Sequence, residues 1–75
     1  MCGIIGIYNN SSNIIDCLDK LQHRGKDGVG IAMNTESGTI ILEKKLGTLA
    51  ENEAVLLETI NKTNPNIVIG HVRYS

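Results

Sequence analysis

The spacing of apolar positions changes several times along the chain. "CGIIGIY" at residues 2–8 is an isoleucine-rich run with two glycines, closed by the polar cluster Asn9-Asn10-Ser11-Ser12-Asn13. This is the pattern of a buried strand, weakened by its glycines unless something approaches the backbone closely. "NIIDCLDKLQH" then places Ile14, Cys17, Leu18 and Leu21 at i, i+3, i+4 and i+7, one stripe of a helix. Ser12 or Asn13 is positioned to cap that helix, and Asp16 suits its first turn. Lys20 and Arg24 suit its end, with Gly25 as the stop. "GVGIAMNTESGTIILEKK" predicts two strands joined by a hairpin turn at residues 35–38. "GTLAENEAVLLETINKTN" predicts a second helix. Thr48 and Glu51 have capping-box spacing, Leu49, Leu56, Leu57 and Ile60 share a face, and Asn64-Pro65 ends it. "NIVIG" is a last strand.

The order strand-helix-strand-strand-helix-strand describes a sheet with a helical layer, α/β or α+β. The hairpin makes at least part of the sheet antiparallel. Repeats, linkers and low-complexity segments are lacking, so no second domain is expected within residues 1–75.

Composition narrows the picture. A domain of 75 residues buries only about 60–65% of its unfolded surface and is marginal alone. Two cysteines are too few for a disulfide framework, and no Cys/His cluster has zinc spacing. With no Phe or Trp, the core is aliphatic. A formal net charge of −1 leaves no electrostatic footprint for nucleic acid or an anionic membrane. No apolar stretch is long enough to span a bilayer, and the start lacks a secretory signal. These features give the expectation of a cytoplasmic protein. The ending "NIVIGHVRYS" breaks off inside a strand, which gives the further expectation of a truncated domain.

Three clusters mix glycine with reactive or charged residues: "MCGIIGI", "LQHRGKDGVGIA" and "GHVRYS". Removal of Met1 would make Cys2 the first residue, with a thiol and a free α-amine on one carbon. Ordinary pKa values are about 7.7–8.0 for an α-amine and about 8.5 for a thiol, so base and nucleophile would be held together covalently. The competing reading, a buried structural cysteine, is favoured by composition alone. Arg24 and Gly25 read either as a helix C-terminus or as an electrostatic surround for the nucleophile, with Asp27 able to pair with Arg24. Arg73 is either an exposed strand-end cation or a planar clamp for the α-carboxylate of an amino acid. His71 reads as a hydrogen-bonded structural histidine, and Cys17 as core.

Taken together, "MCGIIGI…LQHRGKDGVGIA…GHVRYS" resembles the N-terminal glutaminase domain of the class II, N-terminal-nucleophile glutamine amidotransferases. Within that family the wording is most similar to the amidophosphoribosyltransferases. Glucosamine-phosphate synthases prefer Tyr before the Arg-Gly pair and Trp at position 74. Asparagine synthetases share the opening but lack this ending. The resemblance implies a partial αββα Ntn-hydrolase fold with a mainly antiparallel sheet, the chain supplying part of each of two sheets. It implies Cys2 as nucleophile, Arg73 as the substrate-binding residue and Arg24 and Gly25 as supporting residues. The implied reaction releases ammonia from glutamine through a Cys2 thioester, for transfer to 5-phosphoribosyl diphosphate in purine biosynthesis. Implied partners are glutamine, the remainder of the glutaminase domain and a phosphoribosyltransferase domain. No cofactor is implied for this chain; magnesium would accompany phosphoribosyl diphosphate only in a complete enzyme. Lys26 and Gly28 stand where Gln and Ser are common, and the family's Asn-Gly oxyanion hole lies downstream. The alternatives are an inactive fragment that needs a partner, or an amidotransferase with another acceptor.

Overall fold

A computed structural model describes residues 2–22 and 26–73. The strands are β1 (Gly3–Tyr8), β2 (Gly28–Asn34), β3 (Ile40–Leu46) and β4 (Ile67–Arg73). The helices are α1 (Ile14–Leu21), preceded by a 3-10 turn over Ser11–Asn13, and α2 (Leu49–Thr63). The element order is the one expected from the sequence.

All four strands lie in one sheet, in the order β1-β4-β2-β3, and each neighbouring pair is antiparallel. The described residues therefore supply one sheet and not part of two. The last strand enters between the first and the second, a pairing set by side-chain burial across the fold and not by any local turn. The β2–β3 hairpin closes as the sequence indicates. Thr35 N–H donates to the Thr39 carbonyl at 2.9 Å, and Gly38 N–H to the Thr35 carbonyl at 3.0 Å.

Both helices cover the same face. Ile14, Ile15 and Leu18 of α1, and Leu49, Leu56 and Ile60 of α2, meet Val29, Ile31, Met33, Val68 and Val72 of the sheet in one aliphatic core. The helix α1 lies over β1 and β4, and α2 over β2. Gly70 makes room for α1: a Cβ there would stand 3.0–3.1 Å from methyl carbons of Leu18 and Ile14.

Thr48 and Glu51 form the reciprocal capping box at the start of α2, and Asn64 ends it in the left-handed conformation at φ 48°. The start of α1 differs from expectation. Asn13 is its N-cap, yet its side chain makes no capping hydrogen bond, because the 3-10 turn already leads into the helix. Leu57 is exposed, leaving Leu49, Leu56 and Ile60 as the buried face of α2. Cys17 is only half-buried, at the margin of the α1 stripe and not in the core.

The opposite face of the sheet has no helix on it among the described residues. Strand alternation directs Ile4, Tyr8, Ile40, Leu42, Leu46, Ile67 and Ile69 there, with exposures from 45% at Ile67 to 88% at Leu46. Strand β1 is consequently an edge strand buried on one side only.

Candidate active site at one end of the sheet

Cys2 stands one residue before β1, and Arg73 is the last residue of β4. The β1–β4 ladder ends with Gly3 opposite Val72. One step further along each strand brings Cys2 level with Arg73. Directly opposed residues in an antiparallel pair have Cα atoms about 4.5–5.5 Å apart. Alternation puts both on the open face, with Ile4 next to Cys2 and His71 next to Arg73. Both are exposed. Two residues some seventy positions apart in sequence thus lie at the same end of neighbouring strands.

The backbone beneath Arg73 is anchored. Gly28 faces it in β2. Asp27 N–H donates to the Arg73 carbonyl at 2.9 Å, and Gly47 N–H donates to the Asp27 carbonyl at 3.0 Å. These bonds fasten the loops before β2 and after β3 to the end of β4. The guanidinium itself is exposed and has no ion-pair partner among the described residues. It is available for bidentate recognition of a carboxylate.

A cleft of about 210 Å³ opens beside it, lined by Asp27, Gly28, Lys44, Leu46, His71 and Arg73 among others. His71 is half-buried and makes no side-chain hydrogen bond among the described residues, unlike the bonded structural histidine expected. Lys44 was not singled out by sequence reasoning. The signal was the alternation in "ILEKKL", which sends Leu42, Lys44 and Leu46 to one face; only the register shows that this face is shared with Arg73. Arg24 and Gly25, and with them the Asp27–Arg24 pairing, lie outside the described residues. Among the described residues no group of three or more His, Cys, Asp or Glu side chains is arranged to hold a metal ion. No helix of the described residues is long and apolar enough to cross a membrane.

No protein-family model matches the chain. Individual relatives do. An amidophosphoribosyltransferase of Methanocaldococcus jannaschii is 40% identical over 80 residues, covering 100% of this chain and 16% of the relative. Amidophosphoribosyltransferase 2, chloroplastic, of Arabidopsis thaliana is 38% identical over 77 residues, covering 99% of this chain and 13% of that protein. A glutamine–fructose-6-phosphate aminotransferase (isomerizing) of Shouchella clausii is 36% identical over 78 residues, covering 100% of this chain and 12% of that protein. The solved structure of the glutamine phosphoribosylpyrophosphate amidotransferase of B. subtilis, complexed with ADP and GMP, superposes with a TM-score of 0.66 at 30% identity. It matches 99% of this chain and 16% of its own.

Over its whole length, the relatives that this chain matches are class II glutamine amidotransferases. Its four-stranded antiparallel sheet with two helices matches the N-terminal Ntn domain of the B. subtilis amidotransferase. The chain spans about one-eighth to one-sixth of the length of the amidotransferases it matches. Both the phosphoribosyl-transferring and the fructose-6-phosphate-aminating branches match it over its whole length.

Proposed function

We propose that this chain supplies the nucleophile and the carboxylate clamp of a glutaminase site. The observation that carries this reading is the placement of Cys2 and Arg73 at the same end of adjacent strands, on the same face. After loss of Met1, the α-amine of Cys2 takes the thiol proton as sulfur attacks the side-chain amide carbon of glutamine. The same amine returns the proton to the departing nitrogen, so ammonia leaves and a glutamyl thioester remains. Water then hydrolyses the thioester, regenerating the thiol and releasing glutamate. Arg73 holds the α-carboxylate in a planar two-point contact, which fixes the amide carbon over sulfur. Arg24 and Gly25 shape the surround of the nucleophile.

The acceptor in the complete protein is 5-phosphoribosyl diphosphate, the ammonia being used in purine biosynthesis. The wording "LQHRG" and "GHVRYS", together with the amidophosphoribosyltransferase relatives, supports this choice. The remainder of the glutaminase domain and a phosphoribosyltransferase domain complete the enzyme, and magnesium belongs with the phosphoribosyl diphosphate there. The oxyanion donors are part of that remainder. One such donor is worth about 2.7–4 kcal/mol of barrier, a factor of about 10²–10³. The chain alone is therefore expected to show no measurable glutamine hydrolysis.

The test is complementation. The remainder of the glutaminase domain of the M. jannaschii relative is added to this chain, and ammonia release from glutamine is followed. Activity that needs both parts and disappears with Cys2→Ala is expected. Equal activity with Cys2→Ala would overturn the assignment.

A further inference from the structure

The open sheet face forms a grid in register. Its rows are Ile4, His71, Gly30 and Lys44, then Gly6, Ile69, Ala32 and Leu42, running from β1 to β3. Along β2 the small residues Gly30 and Ala32 sink a hollow of about 210 Å³ between ridges from β4 and β3. Its walls are Ile4, Leu42 and Ile69, and its polar end is Lys44 and His71. Both side chains lean over Gly30. A Cβ placed there would meet His71 Nδ1 at 3.3 Å and Lys44 Cγ at 3.3 Å.

The chemistry of this hollow is incomplete. Neither Lys44 nor His71 has a hydrogen-bond or ion-pair partner among the described residues. The neighbouring Lys45 does, at 3.7 Å from Glu43, but alternation turns that pair toward the helical face. None of the described strand positions that alternate onto the open face is Asp or Glu. A second copy of the chain laid face to face would bring no carboxylate from that face. Yet seven large apolar side chains make this face a surface for another polypeptide layer. Covering it with purely apolar side chains would bury the Lys44 ammonium unpaired, which is strongly unfavourable.

We propose that the layer covering this face presents one carboxylate into the hollow above Gly30, paired with Lys44 and accepting a hydrogen bond from His71, and is otherwise aliphatic. This rests on the reading of the chain as part of a larger glutaminase domain, whose remainder is the occupant. Pairing there fixes the register of the covering layer two residues behind Arg73 on the same strand, and so aligns that layer with the Cys2 end of the sheet.

The substitution Lys44→Met separates this arrangement from its rival, in which Lys44 at the edge strand reaches around to solvent. The full chain is titrated with the remainder of the M. jannaschii glutaminase domain, and the dissociation constant is read by calorimetry. With a carboxylate in the hollow, Lys44→Met orphans a buried charge and weakens association about tenfold or more, and Lys44→Glu weakens it further. Leu42→Met, a volume-conserving change in the adjacent row, stays within about threefold of the native chain. Association that is unchanged or tighter with Lys44→Met, or no association of the native chain, overturns the proposal. Association is read without glutamine, so tight association without ammonia release counts against the catalytic reading alone, whereas an unchanged dissociation constant with Lys44→Met counts against this one alone.

Discussion

Gly70→Ala tests how α1 is seated on the sheet. Gly70 lies in β4 on the helical side, three residues before Arg73. The added methyl would stand 3.0 Å from Leu18 Cδ2, 3.1 Å from Ile14 Cδ1 and 3.1 Å from Leu18 Cδ1. Relaxed carbon contacts are about 3.5–4.0 Å, so each falls short by about 0.4–1.0 Å. Both neighbours are fully buried. Overpacking of this kind costs about 1–3 kcal/mol. Loss of glycine's freedom in the unfolded chain offsets about 0.4–1 kcal/mol. A net destabilisation of about 1–2 kcal/mol follows, which at about 1 kcal/mol per molar urea lowers the unfolding midpoint by about 1–2 M. Far-UV circular dichroism of the purified chain in urea reads this directly. Gly6→Ala is the internal control, since a Cβ there meets nothing within 4 Å and its midpoint should hold or rise. Ile14→Val removes one of the crowding methyls, so the double variant Ile14→Val/Gly70→Ala should be more stable than the sum of its parts by about 0.5 kcal/mol or more. A Gly70→Ala midpoint at or above the native value, or simple additivity with Ile14→Val, would refute the reasoning.

Thr48→Ala removes the acceptor for Glu51 N–H and should cost about 1 kcal/mol in the same urea assay. Glu51 has its carboxyl held below the ordinary value of 4.5 by hydrogen bonds from the Thr48 backbone and side chain. A folded-state value below the unfolded one makes this contribution fully present above pH 4.5. It is lost as pH falls from there through the lowered value, and Glu51→Gln should flatten that acid limb of a stability–pH curve. In the complemented enzyme, Arg73→Lys keeps the charge but loses the planar fork. The Michaelis constant for glutamine should rise by about tenfold or more while the complex still assembles.

Much of the fold was legible because its signals are local. The capping box follows from Thr48 and Glu51 at three-residue spacing, and the hairpin from the Thr-Glu-Ser-Gly run. The strand order was not legible, because nothing near β4 in the sequence states that it enters between β1 and β2. That pairing is fixed by Val68 and Val72 having to join Val29, Ile31 and Met33 under the helices. Stripe reasoning overcounted at the margins of the helices: Cys17 and Leu57 fit the period but sit where the sheet no longer covers them. The motif residues Cys2 and Arg73 were visible as types in a pattern, whereas their adjacency needed the register. Lys44 and the hollow above Gly30 went unseen because each depends on three strands at once.

The proposed chemistry requires that Cys2 become the first residue of the working protein. Intact-mass and N-terminal fragment analysis of the protein purified from its own cells measures this directly. Met1 is expected to be absent, with a free α-amine carried by Cys2. A product that still begins with Met1 leaves the thiol without its covalently attached base and contradicts the proposed chemistry.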